Sequence, residues 1–193
     1  GLPICLFAYG SIGLGIAAAI ASVIMLFHFT IGILLAKKKF DFKILIKNGP
    51  IYGILTAFIF LYFEIKTPIF LENATFLIGY ATIFLVLMSL GIALTKLKVF
   101  SFKLSLINSF TRMFIGPIIG LFLIELFDLK GVEAGVLFIQ CSMPSAILTY
   151  LVGSMYSPKK IVDSIASTIV VSTVISFFTL PIIVYISLFY SDF

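Results

Sequence analysis

The chain alternates long apolar runs with short charged turns. Residues 2–10 read as the tail of a span, and Ser11 to Gly15 as a Gly-rich turn. Apolar runs then cover Ile16 to Ala36, interrupted by His28, and Ile44 to about Phe63, with Pro50 in its first turns. Four more follow: Ala74 to Thr95, Leu104 to Phe127, Val132 to Tyr156, and Ile161 to about Tyr190. A helix rises about 1.5 Å per residue and the hydrocarbon core is about 30 Å thick, so each of these runs can span a bilayer. The predicted fold is all-α: a polytopic transmembrane helix bundle of about six full spans plus one half-span.

One run departs from an ordinary membrane helix. Pro144 sits near the middle of Val132 to Tyr156, where it removes an i→i−4 hydrogen bond and crowds the carbonyl of residue 140. Gln140, Ser142, Ser145 and Thr149 surround it, so polar side chains gather where backbone groups are freed. In hydrocarbon such a break survives only against neighbouring protein or a watery cavity. Transporters place substrate sites at midplane breaks, whereas a Pro kink satisfied by Ser and Thr needs no ligand.

Composition narrows the class. Hydrophobic residues make up 62% of the chain and charged residues 11%, against roughly 25% charged in soluble domains. Several spanning runs exclude a monotopic or lipid-anchored protein. The opening Gly1-Leu2-Pro3 reads as the interior of a longer chain. Cys5 and Cys141 stand far apart in apolar runs and suit neither a disulfide framework nor a metal site.

The net charge of +5 reads as topology, not as affinity for nucleic acid. Alternate loops carry Lys37, Lys38, Lys39, Lys43 and Lys47, then Lys96, Lys98 and Lys103, then Lys159 and Lys160. The opposite loops carry Lys66 and Lys130, with Glu64, Glu72, Glu125, Asp128 and Glu133. By the positive-inside rule the Lys-rich loops face the cytoplasm and the C-terminus lies outside a multi-pass protein of the inner (plasma) membrane.

The ends of the chain repeat each other. Pro3 precedes Tyr9 by six residues, as Pro144 precedes Tyr150, and Ile20-Ala-Ser-Val-Ile24 parallels Ile165-Ala-Ser-Thr-Ile169. The span ending near Tyr9 must run outward and that of Pro144 inward, the arrangement of inverted repeats in secondary transporters.

Gly1-Leu2-Pro3 before an Ala/Gly-rich span, the basic loop into Lys47-Asn48-Gly-Pro50, and Met143-Pro144-Ser-Ala followed by Tyr150 and Tyr156 carry a resemblance. The whole chain is similar to the C-terminal portion of an auxin efflux carrier family permease, within the bile acid, arsenite and riboflavin transporter superfamily. The resemblance implies a 5+5 inverted-repeat transporter with crossing broken helices, Pro3 in the first crossover and Pro144 in the second. Residues 1–36 would end the first repeat with half a crossover helix and one span. Residues 37–47 would form a cytoplasmic basic loop, and 43–193 the second repeat of five spans. It also implies secondary active transport of small organic anions, such as dicarboxylates or auxin-like carboxylates, by alternating access. Coupling to H+ or Na+ and a homodimer are further expectations. Family members often carry Asn four residues after the crossover Pro; here that position is Leu148, beside Thr149.

A broken helix offers free N–H groups to a carboxylate at one half-helix start, and free carbonyls to a cation or donor at the other half-helix end. Gln140, Ser142, Met143, Pro144, Ser145 and Thr149 are expected to line the second-crossover side, opposite the backbone near Pro3. Arg112, alone of its type, lies nine residues beyond Lys103. It is available to a carboxylate or to Asp163, with Asn108 one turn earlier on its face, and the competing role is snorkelling to the headgroups. His28 and Asp163 are the proton-coupling candidates; against them stand a packed interfacial His and an acidic first-turn residue favoured by the helix dipole. Gly116 and Gly120, and the Gly and Ala residues of 10–21, suit close helix packing. No metal-binding, nucleophile-elbow or phosphate-loop motif is present, so no catalytic residue, metal or cofactor is assigned. The rival functions are a non-transporting helical subunit of a membrane complex and an intramembrane enzyme.

Overall fold

The computed structural model describes residues 1–37, 49–96 and 102–191, and all regular structure among them is helical. The helices are α1 (Leu2–Phe27), α2 (Ile33–Lys37), α3 (Gly49–Tyr62), α4 (Ile69–Lys96), α5 (Phe102–Leu126), α6 (Gly131–Cys141), α7 (Ile147–Tyr156) and α8 (Lys159–Ser191). A π-helical turn, His28–Gly32, joins α1 to α2. Among the described residues three stretches are long and apolar enough to cross a membrane: Leu2–Ala36, Phe102–Leu126 and Lys159–Phe189. Shorter apolar helices include Ile51–Tyr62, Ile69–Leu85, Gly131–Cys141 and Ile147–Tyr156. Most of the basic loop 37–47, together with Lys98, Asp192 and Phe193, lies outside the described residues.

The chain forms two compact units, Ser22–Lys96 and a second made of Gly1–Ala21 with Leu97–Phe193. In the first, the side chains of Leu61, Ile69, Phe70 and Leu77 are largely exposed. The hydroxyls of Thr56, Thr75 and Thr82 turn back to carbonyls of their own helices, which is how a polar side chain is tolerated on an apolar face. Thr30 does the same in the π-helical turn, donating to the Leu26 carbonyl at 2.6 Å.

The second unit holds the buried core: Cys5, Ala17, Ile124, Ala134, Val136, Phe138, Ile139 and Ile183, from α1, α5, α6 and α8. Without a hydrophobic force between helices in lipid, close packing must come from small residues, and α8 supplies them. Ser167, Ser172, Ser176 and Ser187 are buried, and each hydroxyl donates to a carbonyl three or four residues earlier. Across the seam, Ser109 Oγ of α5 donates to the Thr168 carbonyl of α8 at 3.3 Å. Pro117 and Pro181 lie inside α5 and α8 without ending either helix.

The expected turn over Ser11 to Gly15 is instead a break at the single residue Gly10, with helix resuming immediately after it. Gly10 adopts φ 64 and ψ −154, a region essentially reserved for glycine. The chain doubles back there: a Cβ at Gly13 would lie 2.8 Å from the Cys5 carbonyl oxygen, though the two residues are eight apart. Gly10→Ala is therefore expected to destabilise the protein by about 1–3 kcal/mol although the position is exposed, read as a lower unfolding temperature in detergent. An unchanged unfolding temperature would mean that the reversal does not depend on this conformation.

Candidate functional site

The Pro144 run divides as two half-helices. α6 ends at Cys141, α7 starts at Ile147, and residues 142–146 between them are not helical. Proline accounts for part of this by lacking an N–H and forcing its predecessor away from helical angles. Ala146 is extended, at φ −75 and ψ 140, and supplies no capping side chain. The first-turn N–H groups of Ile147 and Leu148 thus face the break, where a helix has no internal acceptor for them.

Neighbouring helices hold the break in place. Gly116 and Gly120, one turn apart on α5, make a flat face for the end of α6. A Cβ at Gly116 would overlap the Cys141 carbonyl oxygen, and one at Gly120 would lie 3.0 Å from Cys141 Cβ. From α8, Ser172 Oγ accepts the Ser145 N–H at 3.3 Å. From α1, Leu2 and Ile4 pack in the same cluster as Met143. Gly1 abuts the Gln140 amide, and Tyr9 abuts Gly135 five residues before Gln140. The opening turns of α1 therefore run opposite to α6 and pass the break at the level of residues 1–4.

The candidate residues separate by what already occupies them. Ser142 is fully buried and donates to the Phe138 carbonyl at 2.7 Å, so its hydroxyl serves its own helix. Gln140, half-buried, donates from Nε2 to the Ala17 carbonyl at 3.3 Å and ties α6 to the second limb of the α1 hairpin. Ser145 meets α8 through its backbone, and the Thr149 N–H closes the first turn of α7 on the Ala146 carbonyl at 3.0 Å. Pro3, Met143, Pro144 and Thr149 are all half-buried around the gap.

Arg112 and Asn108 share a groove of about 310 Å³ along α5 with Thr111, Ile115, Gly116 and Ile119. Both side chains are exposed. Gly116 joins this groove to the break, because the same residue receives the Cys141 carbonyl. Thr111 was not singled out by sequence, though its place three residues after Asn108 puts it on the same side of the helix as Asn108. No ion pair joins Arg112 to Asp163 among the described residues; the one recorded there is Lys130 to Asp128, at 3.3 Å on the surface. Asp163, half-buried near the start of α8, accepts the Ser167 hydroxyl through its backbone. His28 opens the π-helical turn of the other compact unit.

Comparison with known proteins agrees with the architecture. The chain is 31% identical over 186 residues to an uncharacterized transporter from Methanocaldococcus jannaschii, covering 91% of this chain and 60% of that protein. It thus spans about 60% of the length of the curated relative it matches. No solved structure gives a significant match. The profile of the family described as membrane transport protein matches residues 31–184, the greater part of the sequence. With its long apolar helices, this makes the chain a multi-pass membrane protein belonging to the membrane transport protein family, the auxin efflux carrier family of permeases.

Proposed function

We propose that the protein is a secondary active transporter of small organic anions, carboxylates among them, working by alternating access about the break between α6 and α7. The observation that carries this reading is the convergence of three elements at one level. The uncapped N-terminus of α7 and the carbonyl end of its partner half-helix flank the break, the latter seated on Gly116 of the groove that holds the single Arg, and the opening turns of α1 pass alongside at Gln140. The N–H end and Arg112 favour a carboxylate, while the carbonyl end favours a cation or donor. A transporter needs both signs at one place if an anion moves with a proton or sodium ion.

The opposed run of Leu2–Tyr9 and α6 supports the 5+5 inverted repeat, with Pro3 in the first crossover and Pro144 in the second. On this reading 1–36 ends the first repeat and 43–193 is the second, the Lys-rich loops are cytoplasmic, and the C-terminus is outside. Gln140 positions α6 against α1, and Thr149 stands in the first turn of α7. Alanine at either is expected to lower uptake by the full-length protein about tenfold, the value of roughly one charge-assisted hydrogen bond. Unchanged uptake at matched expression would remove both residues from the site.

A further inference from the structure

Ser172 of α8 differs from serines further along the same helix. It is fully buried and donates to the Ile169 carbonyl at 3.1 Å, as Ser176 and Ser187 donate to carbonyls three residues before them. That bond uses the hydroxyl hydrogen and leaves the oxygen able to accept. The oxygen accepts the Ser145 N–H at 3.3 Å, inside the break between α6 and α7. Pro144 has no N–H, so Ser145 supplies the first backbone donor beyond it. Ser145 is half-buried, and a donor withdrawn from water bears its desolvation cost in full if its acceptor is removed.

The bond bears on where α7 points. Ser145 stands two residues before Ile147, the first residue of α7. Ala146 between them is extended and puts no side-chain cap on the helix, so capping does not fix the direction of the half-helix. Across the break, the Cys141 carbonyl rests on Gly116 of α5. One side of the break is therefore seated on α5 and the other is tied to α8.

We propose that Ser172 is a positioning residue for the anion site. By holding the Ser145 N–H it aims the first-turn N–H groups of Ile147 and Leu148 at the carboxylate, without touching the substrate itself. This rests on the carrier reading above and adds to it a residue from a helix outside the break. The same N–H groups meet the anion whichever side of the membrane it came from. Misaiming them weakens binding throughout the cycle, which raises the half-saturation concentration and leaves the maximal rate in place.

The test measures initial uptake by the full-length protein in proteoliposomes, with labelled malate and labelled phenylacetate as probes. Ser172→Ala is expected to raise the half-saturation concentration about tenfold, with the maximal rate little changed. Ser176→Ala removes another buried hydroxyl, one that serves its own helix, and is expected to leave both parameters as in the wild type. A wild-type half-saturation concentration in Ser172→Ala, or the same rise in Ser176→Ala, overturns the positioning role while the carrier stands. So does a Ser172→Ala protein that loses maximal rate alone or fails to insert, because Ser172 would then serve only the fold. No saturable uptake of either probe, or of any other organic anion, by correctly inserted wild type overturns the carrier reading and this one with it.

Discussion

Gly116→Ala is expected to be the most damaging single-methyl change in the protein. The added carbon would overlap the Cys141 carbonyl oxygen. That neighbour is backbone at a helix end and cannot rotate away. Alanine is favoured over glycine in a helix by about 1 kcal/mol, but overpacking against fixed atoms costs about 1–3 kcal/mol or more, so the clash wins. To relieve it, α6 must move off α5 and the break must shift with it. The expected result is a lowered unfolding temperature together with loss of uptake. Gly15 is the control: it is helical, exposed and has nothing within 4 Å of its Cβ position. Gly15→Ala should be neutral, or more stable by up to about 1 kcal/mol. Equal behaviour of the two variants would mean that α6 is not seated on α5 as described.

The second large effect is expected at Arg112. Removing its charge as Arg112→Gln should lower uptake by about tenfold to a hundredfold, the range for hydrogen bonds to a charged group, with little change in stability because the side chain is exposed and has no ion pair with Asp163. Arg112→Lys should fall between, since lysine keeps the charge but lacks the planar fork that matches a carboxylate. The competing role, a snorkelling anchor, gives a different pattern. Lysine would then replace arginine fully, and glutamine would affect insertion or stability instead of uptake at equal expression. The two readings separate on uptake by Lys against Gln, measured alongside an unfolding curve.

Much of the fold could be read from pattern because membrane helices obey one strong rule: every backbone group must be satisfied within the segment. That rule makes Pro144 legible as a break, and α6 and α7 end and begin within three residues of it. The reading of 11–15 departed from that rule. Gly13 and Gly15 there suggest a Gly-rich turn, but a turn of that length would leave backbone groups unpaired, and the chain reverses at Gly10 alone. Nothing local marks Gly10 from Gly13 or Gly15. The difference is tertiary, since Gly13 must clear the Cys5 carbonyl and Gly10 must take a positive φ.

The candidate site was less legible, for a related reason. Residue type says what a side chain can bond, and the structure decides what it does bond. Ser142 and Gln140 looked equally available by sequence, yet the Ser142 hydroxyl is taken by the Phe138 carbonyl and the Gln140 amide by that of Ala17. Tyr9 against Gly135 joins residues 126 positions apart, and no periodicity could pair them. Arg112 was visible as a charge in an apolar run; that it shares a groove with Thr111 and with Gly116, on which the α6 carbonyl end is seated, was not.

The measurement that bears most directly on the central claim is uptake of labelled dicarboxylates and aromatic carboxylates into vesicles containing the full-length protein, with and without a pH gradient. The account expects saturable uptake of an organic anion that is strongly reduced by changing Arg112 or Gln140. Correctly inserted protein that takes up no organic anion would contradict the carrier reading and leave a helical membrane subunit as the better description of the same fold.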